Sequence, residues 1–316
     1  MDFAYVGNTG RHLQILADYN QANPCTAALA SQCPGSTLAA RRPIPTFGDI
    51  EIAYGGGPSN YNSLQFKVEK RYGNGLYLLN SFTYGRAFDL SSGHLETSNG
   101  DNSRVNFANP AGDYGRSGYD QPLNNTTSII YDLPYGKGRR FGSSAPYLMN
   151  AILGGWQLTL INNMNSGLPV NLNYTNSTSN GTNVTDLYTY RPNVTGNPVA
   201  PAANRVKTAT ALTGWLLKST SPGIPGVSVP TGGSPFGNAQ RNMVVSPAFY
   251  QTDLGLHKAF PLWREGSTFD FRCEAFNILN KVNYQAPDGN VSNSTFGAIS
   301  SAYPARQLQL AAKLLF

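Results

Sequence analysis

Residues 305–316 read ARQLQLAAKLLF, and in steps of two they separate into two faces. Leu308, Leu310, Ala312, Leu314 and Phe316 fall on one, and Gln307, Gln309, Ala311, Lys313 and Leu315 on the other. A period of two is that of a strand, whose successive side chains point to opposite sides. Soluble sheets alternate too, but the ends of soluble domains usually fray into polar tails. A greasy strand running to a bare phenylalanine predicts an apolar neighbour other than a protein core.

The same alternation recurs upstream. NYNSLQFKVEKRY (60–72) sets Leu64, Phe66 and Val68 against Gln65, Lys67, Glu69 and Arg71. Asn74-Gly75 follows, a dipeptide that favours a tight hairpin, and then GLYLLNSFTYGRAF (75–88). Trp156, Leu158 and Leu160 alternate before Asn165-Ser-Gly167, which reads as a second turn. FYQTDLGLHKAF (249–260) and STFDFRCEAFNILN (267–280) repeat the pattern, the second with Phe269, Phe271, Cys273 and Ala275 opposite Asp270, Arg272 and Glu274. Between these runs lie long stretches rich in Asn, Thr, Pro and Gly, of which 176–246 is the longest.

Composition agrees with an all-β chain. Of 316 residues, 33 are Gly, 21 Pro and 18 Tyr, while only 13% are charged, about half the usual share. Such a mix is poor in helix formers and rich in strand and turn formers. The formal net charge of +6 is spread along the chain, without the one-sided basic patch of a nucleic-acid binder, so no nucleic-acid partner is expected. No stretch of 18 apolar residues is present and no transmembrane helix is expected, but a closed barrel is the other way to cross a bilayer.

Strand length separates a soluble sandwich from a membrane barrel. Sandwich strands average about 5–6 residues, whereas tilted strands crossing a membrane need about 9–11. The runs here have the greater length, their opposite face is hydrophilic as a lumen requires, and short connections alternate with long ones. An antiparallel transmembrane β-barrel with short periplasmic turns and long extracellular loops is therefore expected. Counting back from Phe316 at the periplasmic end puts turns at 8–10, 73–75, 120–122, 165–167 and 261–266. The outside then holds 19–59, 89–110, 134–150 and 176–246, with 48–54 as extra strand inside a loop. This makes about eleven crossings, an odd number, and so part of a barrel. The parity turns Arg272, Glu274, Gln307, Gln309 and Lys313 toward the lumen.

Little points to catalysis, and no enzyme activity, cofactor or metal site is expected. His12, His94 and His257 are scattered, and no HExxH, CxxC or G-x-S-x-G occurs. Gly136-Lys-Gly138 lacks the rest of a phosphate-binding loop and reads as a turn. Asp253, Asp270 and Glu274 read as lumen side chains paired with Arg272 and other basic groups. Trp156, Trp263 and tyrosines at strand ends are candidates for interfacial girdles. Cys25 and Cys33, eight apart between prolines, suggest a disulfide closing a surface loop in an oxidising compartment, and Cys273 a small apolar side chain.

Several motifs then carry a family resemblance. RRPIPTFGDI, SNYNSLQFKVEKRYGNGL, SFTYGRAFD, YDLPYGKGRRFG, LGGWQLT with NSGLP, FYQTDLGLHKAFPL, FRCEAFNILNKVNYQ and PARQLQLAAKLLF resemble, in that order, the barrel of Oar-like TonB-dependent outer-membrane transporters. The resemblance implies a barrel of about 22 strands, an N-terminal plug, a TonB-interacting segment and often an N-terminal regulatory-like domain. No signal peptide, plug or TonB-interacting segment is read here. Residues 1–316 are thus expected to be the C-terminal portion of such a barrel domain, about eleven strands of it, meeting the TonB complex only through other parts. The resemblance implies a bacterial outer-membrane location, uptake of a large or scarce solute, and lipid and the barrel-assembly machinery as partners. It casts Leu308, Leu310, Leu314 and Phe316 as the assembly signal. A non-transporting adhesive or structural barrel and a secreted β-rich carbohydrate binder are the alternatives.

Overall fold

The computed structural model describes residues 1–25, 37–73, 75–93, 104–176, 183–221, 223–231, 234–262 and 266–316. Its frame is eight long strands: β1 (Asp2–Asp18), β2 (Glu51–Gly73), β3 (Leu76–Asp89), β4 (Leu123–Asp132), β5 (Trp156–Asn165), β6 (Phe249–Pro261), β7 (Thr268–Phe276) and β8 (Gln307–Leu315). Each pairs antiparallel with the next along the chain, so the sheet is an unbroken up-and-down meander from β1 to β8. Two short additions, Arg104–Val105 against β1 and Gly115–Arg116 against β3, extend it. Among the described residues β1 and β8 do not pair with each other, and the sheet is open.

Register sorts the side chains into two faces. One cross-strand row runs Leu308, Ala275, Leu254, Leu160, Ile129, Leu78. Parallel rows hold Leu310, Cys273, Leu256, Leu158, Tyr131 and Leu76, and Tyr250, Met164, Asn125, Phe82, Phe66 and Phe3. The opposite face holds Gln309, Glu274, Gly255 and Thr159 in one row, and Thr126, Asn163 and Gln251 in another. The row through Phe3 enters β1 near its start, whereas β8 begins two rows nearer the other end of the sheet. That sideways stagger is what tilted strands produce in a barrel wall.

Polar side chains on the apolar face bond across strands. Asn80 Nδ2 donates to Asn125 Oδ1 at 2.9 Å and Thr127 Oγ1 at 2.8 Å, and Asn162 Nδ2 donates to Thr252 Oγ1 at 2.8 Å. Lys258 lies on the same face beside Trp156 and is only 3% exposed.

Several expected boundaries move. The long strands number eight among the described residues, against about eleven expected. Asn8-Thr-Gly10 is no turn: β1 runs through it, and the register instead slips between Gly10 and Leu13, where His12 takes φ 55°. The glycine marks a bulge. The 48–54 segment opens β2, with Glu51 paired to Asp18. Asn165-Ser-Gly167 starts a long excursion, and β5 pairs with β6 across it. Gly167 is demanded by close approach, since a Cβ there would lie 1.8 Å from the Ser246 carbonyl oxygen. Residues 120–122 lead into β4 at the long-loop end, because Leu123 pairs Tyr84 near the top of β3. The strand expected over 267–280 stops at Phe276 because Asn277 turns at φ 51° and its side chain bonds both ways with Lys281.

The connections now divide cleanly by end. Residues 74–75, 133–155 and 262–267 join strands at one end, and 19–50, 90–122, 166–248 and 277–306 at the other. The 133–155 segment, expected outside, therefore shares the end of the tight turns.

The alternation carries a prediction. Leu254→Arg should destabilise the protein in phospholipid vesicles by about 2–4 kcal/mol, the cost of a cation on a lipid-facing strand at mid-depth. Gln251→Arg, on the other face, should change stability by less than about 0.5 kcal/mol. Denaturant unfolding of the vesicle-inserted protein measures both.

Candidate functional site

The four connections at the long-loop end fold into one body, here called the loop cap. Its core is Ala22, Val170, Leu172, Tyr174, Val184, Tyr190, Leu216, Val227, Val244 and Val291, drawn from 19–50, 166–248 and 277–306. Short ladders stitch it: Pro169–Val170 with Val244–Val245, Asn193–Thr195 with Gly226–Ser228, and Val206–Lys207 with Leu212–Thr213. A second cluster, Ile15, Ala17, Leu90 and Val105, joins the cap to the tops of β1 and β3. Burying such side chains stabilises by about 1.5–3 kcal/mol each, enough to order segments whose composition looks like loop.

Buried cations hold the cap to the wall. Arg241 is 2% exposed. It donates through Nη2 to the carbonyl oxygen of Asp89 at 2.7 Å and to the Asp89 carboxylate, through Nη1 to Ser92 Oγ at 3.1 Å, and through Nε to the Asp113 carbonyl at 3.1 Å. Burial pushes its guanidinium down to about 10, so it stays charged at neutral pH and needs these acceptors. Asp113 is the second hub. It pairs with Arg191 and accepts from Tyr188 Oη at 2.9 Å and from the Asn106 N–H at 2.6 Å. Arg41 donates to the carbonyls of Asn23 at 2.7 Å and Asn183 at 2.6 Å, and burial lowers its pKa. Burial also raises the Tyr190 phenol, whose oxygen accepts the N–H groups of Val184 and Thr185.

Among the clefts that open on the cap, two bear on its chemistry. One of about 150 Å³ lies between Asn106, Asp113, Tyr188, Arg191, Phe236 and Gln240. The larger, about 410 Å³, is lined by Asn193, Thr195, Ser219, Thr220, Ser228 and Asn238 among others, with no charged side chain among the described lining residues. Its chemistry is neutral hydrogen bonding. A third concavity, about 270 Å³, sits on the polar face of the sheet between Gln157, Thr159, Gly255, His257, Arg272 and Glu274. Gly255 keeps it open, because a Cβ there would come within 2.4 Å of Thr159 Oγ1.

The residues singled out in the sequence fall as follows. Arg272, Glu274, Gln307, Gln309 and Lys313 lie on one face of β7 and β8, with Glu274 beside Gln309 and Asp270 beside Lys313. Asp270 is 3.9 Å from His257 Nε2, and Asp253 accepts from Gln251 and the Asn277 N–H. Leu308, Leu310, Leu314 and Phe316 are all exposed, Phe316 at 93%. Cys273 is a free thiol on the apolar face, and Cys25 takes part in a disulfide. Cys33, Trp263 and His94 lie outside the described residues. No cluster of three or more His, Cys, Asp or Glu side chains that could hold a metal ion occurs among the described residues. The cap's buried cations were not anticipated. The available signal was an apolar triad at spacing two, Val170, Leu172 and Tyr174, in a segment too short to cross a membrane.

The model of a protein family described as outer membrane beta barrel domain matches residues 1–309, and the chain belongs to that family. It is a bacterial outer-membrane protein. No curated protein and no solved structure matches it.

The Arg241 hub predicts that Asp89→Ala, which strands a buried cation, destabilises the cap by about 3–5 kcal/mol. Hydrogen exchange should accelerate across 166–248 while β5 to β7 keep their protection. A pH effect follows from Asp288. Burial alone would raise its pKa, but hydrogen bonds from Thr295, the Asn290 N–H and Asn293 outweigh it and hold the carboxyl below its ordinary 3.8. A depressed carboxyl stabilises the fold above its unfolded value, and that contribution is lost as pH falls through the folded value. Protection in 288–297, taken relative to intrinsic exchange, should therefore be full above the ordinary 3.8 and fall as pH drops through the folded value, and Asp288→Asn should remove that pH dependence.

Proposed function

We propose that the chain forms part of the wall and the outward cap of a TonB-dependent, Oar-like uptake barrel that takes in a large or scarce solute. Membership of the outer-membrane barrel family is the premise. The observation that carries the finer reading is the loop cap: four connections leave one end of the wall and build a single packed body with a 410 Å³ polar cleft. A passive pore needs no such body, whereas selection of one scarce solute does. The resemblance of the chain's motifs to the Oar-like barrel points the same way.

In this reading the cap contacts the solute through amide and hydroxyl groups, which suits an uncharged polar segment such as a peptide backbone or a sugar. The polar face, with Arg272, Glu274, Gln307, Gln309 and Lys313, lines the lumen. The unpaired edges of β1 and β8 cannot stand in hydrocarbon, so further strands complete the wall, as in a barrel of about 22. TonB supplies the energy by acting on a plug outside these residues, and the assembly machinery reads β8 with Leu308, Leu310, Leu314 and Phe316. The chain binds and conducts, with no catalytic step and no cofactor.

Two deletion strains test the reading, one lacking this protein and one lacking TonB, grown on a defined mixture of peptides and oligosaccharides. The expected result is that the same solute is left in the medium by both. A solute spared by the TonB deletion alone, with the other strain losing surface attachment instead, would overturn transport in favour of an adhesive barrel.

A further inference from the structure

The segment 133–155 stands apart from the other connections. It lies at the tight-turn end, yet it spans more residues than either neighbour there and carries a helix, α1 (Tyr147–Leu153). That helix is inside out. Asn150 and Ala151 turn toward the protein, while Tyr147, Leu148, Met149, Ile152 and Leu153 are exposed, at 81% and 72% for the first two. A helix on a water-facing surface does the reverse, turning its apolar stripe to the core.

The helix also has a defined address. Lys258 Nζ donates to the C-terminal carbonyls of Ala151 at 2.5 Å and Ile152 at 3.1 Å, and Trp156 Nε1 donates to the Ile152 carbonyl at 2.8 Å. Lys258 and Trp156 are cross-strand partners on the apolar face of the sheet. The lysine is further enclosed by the Trp156 and Phe260 rings, at 5.2 and 4.7 Å from their centroids. An ammonium on a lipid-facing wall is costly unless it is paired. Here the negative end of the helix supplies the acceptors, so a single contact neutralises the lysine and clamps the helix to the outside of the wall. The remainder of the segment is basic: Lys137, Arg139 and Arg140 are exposed and 133–155 contains no acidic residue.

We infer that α1 is an interfacial anchor, pressed by Lys258 against the outer wall and dipping Leu148, Met149 and Ile152 into the periplasmic leaflet of the outer membrane. Anionic phospholipid headgroups contact Lys137 and Arg140. Lipid is the occupant because the exposed side of the helix continues the apolar face already assigned to the bilayer, at the end where the short turns lie. An apolar stripe flanked by basic residues is what binds a helix in the plane of an anionic interface.

The inference rests on the apolar face meeting lipid, and the test separates the two. A diazirine-bearing amino acid is placed at Leu148, and separately at Leu254 in the wall, in the protein inserted in the outer membrane. Photolysis is followed by mass spectrometry of the adducts. Phospholipid adducts at both positions are expected, with the Leu148 yield within about threefold of that at Leu254. Phospholipid at Leu254 but protein adducts or water insertion at Leu148 would overturn the anchor and leave the wall standing. Lipid A at Leu148 would overturn it by placing this end outside. No lipid at either position would overturn the anchor together with the membrane-facing wall.

Discussion

Hydrocarbon offers nothing to an unpaired peptide group, and from that constraint the rest of the structure follows. A strand in such a solvent must bond to its neighbours on both sides along its length. The chain meets this in the simplest connected way, with each long strand laid against the one before it. Side chains then have only two directions to take. Leucine, phenylalanine and tyrosine collect on one face, and amides, carboxylates and bases on the other. Where a polar group falls on the apolar face the same rule is obeyed locally: Asn80, Thr127 and Asn162 bond across strands, and Lys258 finds the end of a helix.

Above the wall the solvent changes and so does the solution. Water satisfies stray peptide groups, but it rewards no particular conformation, and the long connections gain order by burying apolar side chains. Val170, Leu172, Val184, Val227 and Val291, each at 3% exposure or less, come from segments far apart in sequence. Arg241 and Asp113 then tie that small core down to β3 and its outgoing connection. The cap is thus a folded body with its own interior, and its clefts are held open by packing.

How much of this is legible in the sequence depends on the range of the interaction involved. Alternation is local, so 60–72, 249–260 and the last strand are readable without a structure, and so is the tight reversal that brings Gly73 opposite Leu76, although Asn74 itself lies outside the described residues. The face taken by Arg272, Glu274 and Gln309 follows from parity alone. Signals that serve two purposes mislead. Gly10 reads as a turn and is a bulge, and Gly167 reads as a turn and is a close approach to Ser246. Taking 165–167 as a complete turn flips the end of the next segment counted back from Phe316 and so puts 133–155 outside, until the extra turn at 120–122 restores the count for 89–110 and 73–75. The cap's core was unreadable for another reason: its valines and tyrosines sit singly among Asn, Thr and Pro, and only long-range contact makes them a cluster.

The most direct test of the central claim, that bilayer covers the apolar face, is a nitroxide scan along β6 in lipid vesicles, in a Cys273→Ala background. Power saturation would be read with oxygen, which concentrates in hydrocarbon, and with a water-soluble nickel chelate. Labels at 254, 256 and 260 should collide with oxygen and those at 251, 253 and 257 with nickel, alternating residue by residue. Low collision with both reagents at 254 and 256, the signature of a second protein layer, would contradict the account.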